Sequence, residues 1–420
     1  RKRMKGHRFR FASVAVQLGC LAVFVGACFW SEQASASGGP PGGGGAGDIP
    51  PGPLGSPLPG LNQNDLQAFN QGRQEFGRLE GPPQGLGPVF NGRSCLECHG
   101  EGAPGGAGTN LGVARVTRIG GTVNGLYSDL TQFGGAVIQA RSLRELIPNY
   151  PVPRENVPFQ ATFVSRRQTT PTFGAGLIEA IPGQTLIDNA NRAQPDGVTG
   201  RVNMVLNPLT GGLEVGRFGW KSQHSNLFVF AADAYLNEMG ITSPLFPNEN
   251  LPQGMPIPPG ADQVADPEDN GNDVQAFANF MRFLAPPARE GAITLQIAAG
   301  EQLFSTIGCA VCHSPVLRTG NHPNPALANK NVRLYSDLLL HDMGPQLADG
   351  VRQGQATGSE WRTPPLWGLR VRRFFLHDGR SQNLDDAIRR HGGEALPATN
   401  RYIGLSQANR SALLAFLTRL

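Results

Sequence analysis

Two stretches of this chain repeat one pattern, Cys95-Leu96-Glu97-Cys98-His99 and Cys309-Ala310-Val311-Cys312-His313. A C-x-x-C-H pentapeptide is the attachment signature of a c-type haem. Its thiols add across the porphyrin vinyl groups, and the imidazole that follows gives the iron an axial nitrogen. C-x-x-C alone would also suit a redox dithiol or half of a zinc site. The adjoining His narrows the choice, and the second copy narrows it again. Zinc needs four ligands in compact spacing, whereas these pairs lie roughly 210 residues apart and each has its own His. The expectation is two covalent haems, held by Cys95, Cys98, Cys309 and Cys312, with His99 and His313 as iron ligands. Two disulfides or two zinc half-sites are the rival reading.

A chain of 420 residues has room for two or three domains. Its 56 glycines and 35 prolines exceed ordinary usage and predict long ordered loops between short helices. The net charge of +4 misleads: residues 1–36 hold six Lys/Arg and one acidic residue, and 30 basic and 31 acidic residues remain without them. That near-neutral body gives no support for nucleic-acid binding. Besides the four haem-motif cysteines there are only Cys20 and Cys28. No thiol is left in the body for disulfides, so cross-linking falls to the haems.

Arg1 to Arg10 is basic, Phe11 to Trp30 is an uncharged apolar run, and Ala34-Ser35-Ala36 is an A-x-A cleavage site. Residues 1–36 therefore read as a secretory signal peptide. The run is near membrane-spanning length, so a retained membrane anchor is one alternative. Val25-Gly26-Ala27-Cys28 loosely resembles a lipoprotein box and offers another. Each option places the body in the periplasm or on an outward-facing membrane surface, where c-type haems are attached. Residues 37–60, mostly Gly, Pro, Ser and Ala, read as a disordered tether.

Each haem motif is followed by a similar series of residues. Arg167-Gln168-Thr169-Thr170-Pro171-Thr172-Phe173-Gly174 has a counterpart in Trp361-Arg362-Thr363-Pro364-Pro365-Leu366-Trp367-Gly368. Phe218-Gly219-Trp220-Lys221, with Leu227 seven residues past the Trp, is matched by Phe375-Leu376-His377-Asp378-Gly379, with Leu384 seven past the His. Each copy closes on an apolar-periodic helix, Val274 to Leu284 and Ser411 to Leu420. Gly300 and Phe304, one turn apart ahead of the second motif, suit the helix that commonly opens a cytochrome c domain. The fold class expected is mainly α: two cytochrome c-like haem domains, 61–287 and 288–420, with long loops and a few short strands. Insertions at 104–165 and 183–215 enlarge the first. Val116 to Val123 and Thr199 to Leu206 are β-branched enough for small hairpins. Residues 243–270, rich in Pro, Asn and Asp, read as a long surface loop.

Together these features resemble the di-haem oxidoreductase, putative peroxidase, family, which is similar in turn to bacterial diheme cytochrome c peroxidases and their protein-oxidising relatives. The likeness spans roughly residues 61–420. It is carried by Gly85-Leu86-Gly87-Pro88-Val89-Phe90-Asn91, by Tyr335-Ser336-Asp337-Leu338-Leu339-Leu340-His341-Asp342-Met343-Gly344, by Glu360-Trp361-Arg362-Thr363-Pro364-Pro365 and by His391-Gly392-Gly393-Glu394-Ala395. The resemblance implies that peroxide reacts at the N-terminal haem and that the C-terminal haem passes it electrons from a small electron-donor protein. It also implies that Trp220 stands between the haems, and that Glu238, in Glu238-Met239-Gly240, lies over the distal face of the peroxide haem. A Gln that precedes this Glu in the peroxidases is replaced here by Phe228 or Phe230. The distal Met of the C-terminal haem has His391 at about its place. A calcium ion between the haems is left open.

On their own chemistry the same residues read as follows. His391 precedes Gly392-Gly393, which would let the backbone approach a haem closely. It is a candidate distal ligand of the second haem, with Met343 as rival. A bis-His haem would have a lower potential than a His/Met one. His377, before Asp378-Gly379, reads as a turn-stabilising hydrogen bonder, and His224 and His322 as solvated. A distal carboxylate such as Glu238 could move a proton from the inner to the outer peroxide oxygen as the O–O bond breaks. Without that role Glu238 would be a solvated helix-face acid, and Trp220 ordinary core. Arg362 and Arg167 are candidates for bidentate pairing with haem propionates, Arg373 and Arg380 weaker ones. The function expected is a diheme c-type oxidoreductase acting on hydrogen peroxide or another small oxidant. A diheme electron carrier is one alternative, and an oxygenase or protein-modifying oxidase on the same core is another.

Overall fold

The computed structural model describes residues 52–112 and 115–420, which fall in one compact unit. The expected signal peptide and most of the expected tether lie outside the described residues. Among the described residues no helix is long and apolar enough to cross a membrane.

Two crossed helix pairs carry the fold. Gln63–Gly77 packs on Asn272–Phe283, and Leu295–Thr306 packs on Gln407–Leu417. Side chains cap three of the four at the N-terminus: Asn62 accepts from the Asp65 N–H, Thr294 from Ile297 and Ser406 from Asn409. The crossings share one device. A Cβ on Gly72 would overlap the carbonyl oxygen of Ala276, and one on Gly300 that of Ala412. Only glycine lets the backbones come so near. Four residues on, and so on the same helical face, stand Phe76 and Phe304, 0% and 2% exposed. Each ring meets a phenylalanine of the facing helix, Phe280 at 4.7 Å and Phe416 at 5.5 Å. Each also meets a motif imidazole, His99 at 5.9 Å and His313 at 6.3 Å. The glycine closes the helix pair, and the phenylalanine seats the histidine. Gly300→Ala should therefore cost about 1–3 kcal/mol through overpacking, although alanine is the better helix former. A lower Tm in thermal denaturation checks this.

The other paired landmarks share local features. Phe218 bridges back to His224, and Phe375 to Ser381. Helices then start at Leu227 and Leu384, capped by the Asn226 and Asn383 side chains. Phe173-Gly174 and Trp367-Gly368 pack against each other. Gly174, at φ +67°, lies against the Trp367 ring, and Gly368 lies against Phe173.

The insertions hold more sheet than small hairpins. Arg115–Val123 turns through Asn124-Gly125, both at positive φ (51° and 79°), into Leu126–Ser128. It also pairs with Val137–Ile138 and, from Arg115↔Gln168 to Gly120↔Phe163, with Phe163–Gln168. That last pairing delivers Arg167 and Gln168 to the centre of the molecule. Met204–Leu206 and Leu213–Val215 form the expected small hairpin. The end of the tether departs from expectation. Leu58 is buried and donates its N–H to the Phe283 carbonyl at 2.7 Å, while Ser56 accepts from Ala285 at 2.9 Å. One buried apolar side chain and a few backbone bonds tie this part of the Gly/Pro stretch to 283–288.

Candidate cofactor and active site

Residues of the first motif line a cavity of about 980 Å³, and those of the second a cavity of about 1420 Å³. Over the first stands Glu238. It lies in Tyr235–Met239, where the preceding helix widens into a π turn before stopping at Gly240, φ +70°. Such turns recur at functional sites. The Gly85–Asn91 stretch holds it. Asn91 and Gly92 donate their N–H groups to the Glu238 carbonyl at 2.7 and 3.1 Å, and Asn91 Nδ2 donates to Glu238 Oε2 at 3.1 Å. Burial raises the Glu238 carboxyl to about 7, against a pull downward from Arg118, which lines the same cavity. Phe230, not Phe228, reaches this cavity, stacked 6.0 Å from Phe218.

The second cavity is faced by both His391 and Met343. Each of three histidines has its Nδ1 committed to a backbone carbonyl: His99 to Gly106 at 3.3 Å, His313 to Tyr335 at 2.9 Å and His391 to Ala387 at 2.7 Å. A carbonyl can only accept, so Nδ1 carries the proton and Nε2 the lone pair a metal needs. Burial lowers all three, His99 and His313 to about 4, which keeps the imidazoles neutral. Trp220 lines both cavities. Its indole N–H is fixed on the Gln168 carbonyl at 2.7 Å, and its ring meets Trp361 edge-on at 6.3 Å. Trp361 in turn stacks on His377 at 3.8 Å. His377 is thus part of an aromatic wall.

The thiols argue against the rival chemistries. Burial pushes Cys98 and Cys309 up to about 12 and raises Cys95 and Cys312 as well. A redox dithiol needs the opposite shift. Among the described residues neither motif's own Cys-Cys-His set gathers as metal ligands, although Cys312 lies together with Asp337 and His341.

The arginines fit a haem with its propionates. Arg362 is 6% exposed and has no acidic partner among the described residues. Its Nε donates to the Gly219 carbonyl at 2.8 Å, and burial alone pulls its pKa down to about 10. Arg372, which the sequence did not single out, has Nε and Nη2 buried without a hydrogen-bond partner in the wall of the second cavity. Burial brings it too to about 10, against a pull upward from Glu101. A buried guanidinium without a counter-charge is costly, and haem carboxylates would supply one. Arg167 lines the first cavity, but Asp349, 2.7 Å away, already takes its charge. Arg373 and Arg380 are likewise paired, with Glu101 and Asp378. Arg372→Met should lower the midpoint potential of the second haem, on the order of 50 mV or about tenfold in a one-electron equilibrium. The lost cation no longer offsets the electron gained, and redox potentiometry checks the shift.

Two further groups went unrecognised in the sequence. His341 sits between Asp337 and Glu394, each 2.9 Å from a ring nitrogen, and these carboxylates raise it to about 12 despite burial. Glu249, Asp262, Asp266 and Glu268 gather in the 243–270 loop, and burial with mutual repulsion raises Glu249 to about 9. None of these four lines either cavity, so they lend nothing to a calcium ion between the haems.

A family model described as di-haem oxidoreductase, putative peroxidase, matches residues 156–420. The matched stretch holds the second motif, Trp220 and Glu238, and the first motif precedes it. Among solved structures the chain is similar to hydrazine synthase of Kuenenia stuttgartiensis pressurised with xenon, at 14% identity over 93% of this chain and 100% of that one, TM-score 0.41. It is also similar to a MauG-like protein associated with microbial copper homeostasis, at 15% over 89% and 93%, TM-score 0.40. The diheme peroxidase BthA of Burkholderia thailandensis E264 follows at 15% over 87% of each chain, TM-score 0.38. No curated protein matches the chain.

Proposed function

The chain belongs to the di-haem oxidoreductase, putative peroxidase, family, and from that premise we propose that it reduces hydrogen peroxide, or a comparably small oxidant, with electrons from a small redox protein outside the cytoplasm. The observation that carries the reading is the inequality of the two cavities. A carboxylate near its titration point faces the first, and a second neutral imidazole faces the other. Two covalent c-type haems would supply the redox chemistry when bound, so that H2O2, two electrons and two protons give two waters.

The chain's own residues supply the rest. Glu238 takes the proton from the inner peroxide oxygen at its carboxylate and returns it to the outer oxygen, and a pKa near working pH suits both transfers. Asn91 holds that carboxylate in place. Phe230 keeps water from its side of the pocket. Trp220 is fixed in the wall both cavities share, where an aromatic ring shortens the path between them. His391 offers Nε2 to the second cavity.

To test the reading, the fully reduced protein is mixed with peroxide and the haem spectra are followed. Reoxidation much faster than that of free haem is expected, and reoxidation no faster sinks the proposal. One observation favours a second reading, an oxygenase or protein-modifying oxidase. Phe230 fills the place of a polar Gln and leaves the first cavity more apolar than peroxide alone requires. Mass spectrometry of products from a substrate screen separates the two.

A further inference from the structure

One carboxylate fastens together the two loops that carry the rival ligands of the second cavity. Glu394, three residues past His391, meets His341 Nδ1 at 2.9 Å through Oε2 and accepts from the Asp342 N–H through Oε1 at 3.2 Å. His341 and Asp342 immediately precede Met343. The carboxylate also accepts from Thr199, N–H to Oε2 at 2.9 Å and Oγ1 to Oε1 at 3.3 Å. Thr199 belongs to the 183–215 insertion of the N-terminal half. The loops touch through glycine backbone. A Cβ on Gly344, at φ +75°, would lie 2.9 Å from the Gly393 N, and one on Gly393, at φ +51°, would overlap the Asp342 carbonyl.

The two loops are not equally anchored. Met343 follows a strand, Leu340–Asp342, that pairs with Glu360–Arg362, and its own N–H donates to the Ser359 carbonyl at 3.0 Å. His391 follows the short helix Leu384–Arg389 and is held by bonds within its own segment: its N–H to Ile388, its carbonyl from Thr399 Oγ1 and its ring to Ala387. Without the Glu394 bonds the His391 loop is the one free to withdraw. Met343 would stay at the cavity wall with a thioether to offer.

We infer that Glu394 is a positioning residue that selects the ligand of the second haem: bound to His341, Asp342 and Thr199, it holds His391 toward the cavity in preference to Met343. The inference rests on the reading of His391 as that haem's distal ligand. It adds that the N-terminal half, through Thr199, has a hold on the ligation state of the C-terminal one.

The test uses the full haem-loaded chain, with paramagnetic resonance and near-infrared magnetic circular dichroism of the oxidised protein and a redox titration. Wild type and Met343→Leu should share one bis-imidazole signal from the second haem. Glu394→Ala should lose most of it, gain the near-infrared band of sulfur-ligated ferric haem and titrate at a higher potential. Glu394→Ala with Met343→Leu should lose the sulfur band and turn high-spin. Where Glu394→Ala does not accumulate, Glu394→Gln serves. An amide has one accepting oxygen where the carboxylate has two, so it cannot hold His341, Asp342 and Thr199 together, and a sulfur-ligated fraction is expected. Wild-type spectra and potential in the Glu394 variants overturn the inference while leaving the His391 reading intact. Absence of a bis-imidazole signal from wild type overturns the His391 reading and the inference with it.

Discussion

Glu238→Gln should lower kcat for peroxide by about 10²–10⁴-fold while both haems stay attached. Glutamine keeps the shape and can still bond Asn91, but it cannot carry a proton between two oxygens. The pH dependence makes the test specific. Burial raises the Glu238 carboxyl to about 7. As the base that opens the reaction it must be ionised, so wild-type kcat/KM should rise with pH through about 7, and the glutamine variant should be flat there. Stability should move the other way. A carboxyl whose folded pKa lies above its unfolded value contributes fully below the unfolded value, and that contribution is lost as pH rises through the folded pKa. Above about pH 7 Glu238→Gln should therefore be more stable than wild type, on the order of 1–3 kcal/mol. A slow variant that is also less stable at pH 8 would mean a structural carboxylate rather than a proton carrier.

Cys309→Ala with Cys312→Ala should cost more than a cofactor. The second cavity, about 1420 Å³, would keep its apolar walls and the buried Arg362 guanidinium with no counter-charge, while half-buried Arg372 would keep only the pull of Glu101. Each uncompensated buried charge costs on the order of 3–5 kcal/mol, a large part of what a domain has in total. The crossing of Leu295–Thr306 with Gln407–Leu417 and the Phe304–His313 contact should be lost together. Limited proteolysis should degrade residues 288–420 while the first haem keeps its spectrum. A doubly substituted chain with wild-type Tm and protease resistance would show that the haem is not part of this core.

Much of the architecture was legible because it rests on local signals. The C-x-x-C-H pentapeptides place the cavities, and Gly300 with Phe304 marks a close helix crossing. Gly72 and Phe76 carry the same four-residue spacing ahead of the first motif, and that signal would have found the first crossing too. What stayed hidden depends on partners far along the chain. Arg372 and Arg373 are adjacent and chemically alike. Only burial shows that the first is shielded in the cavity wall and the second pairs with Glu101 at the surface. Arg167 looked available for a propionate because Asp349, its partner, is 182 residues away. His341 shows no special pattern until the fold brings Glu394 to it. Val116 to Val123 suggested a hairpin, but the longest partner of that strand, Phe163–Gln168, lies beyond a loop that sequence periodicity cannot span.

The central claim is that two similar haem sites have been made unequal, one open for reaction and one closed by a second ligand. Paramagnetic resonance of the fully oxidised protein, before and after cyanide, tests it most directly. The account predicts that cyanide converts the signal of the first haem only, and that the bis-imidazole signal of the second is untouched. Two low-spin signals that cyanide leaves unchanged would contradict it and make the protein an electron carrier.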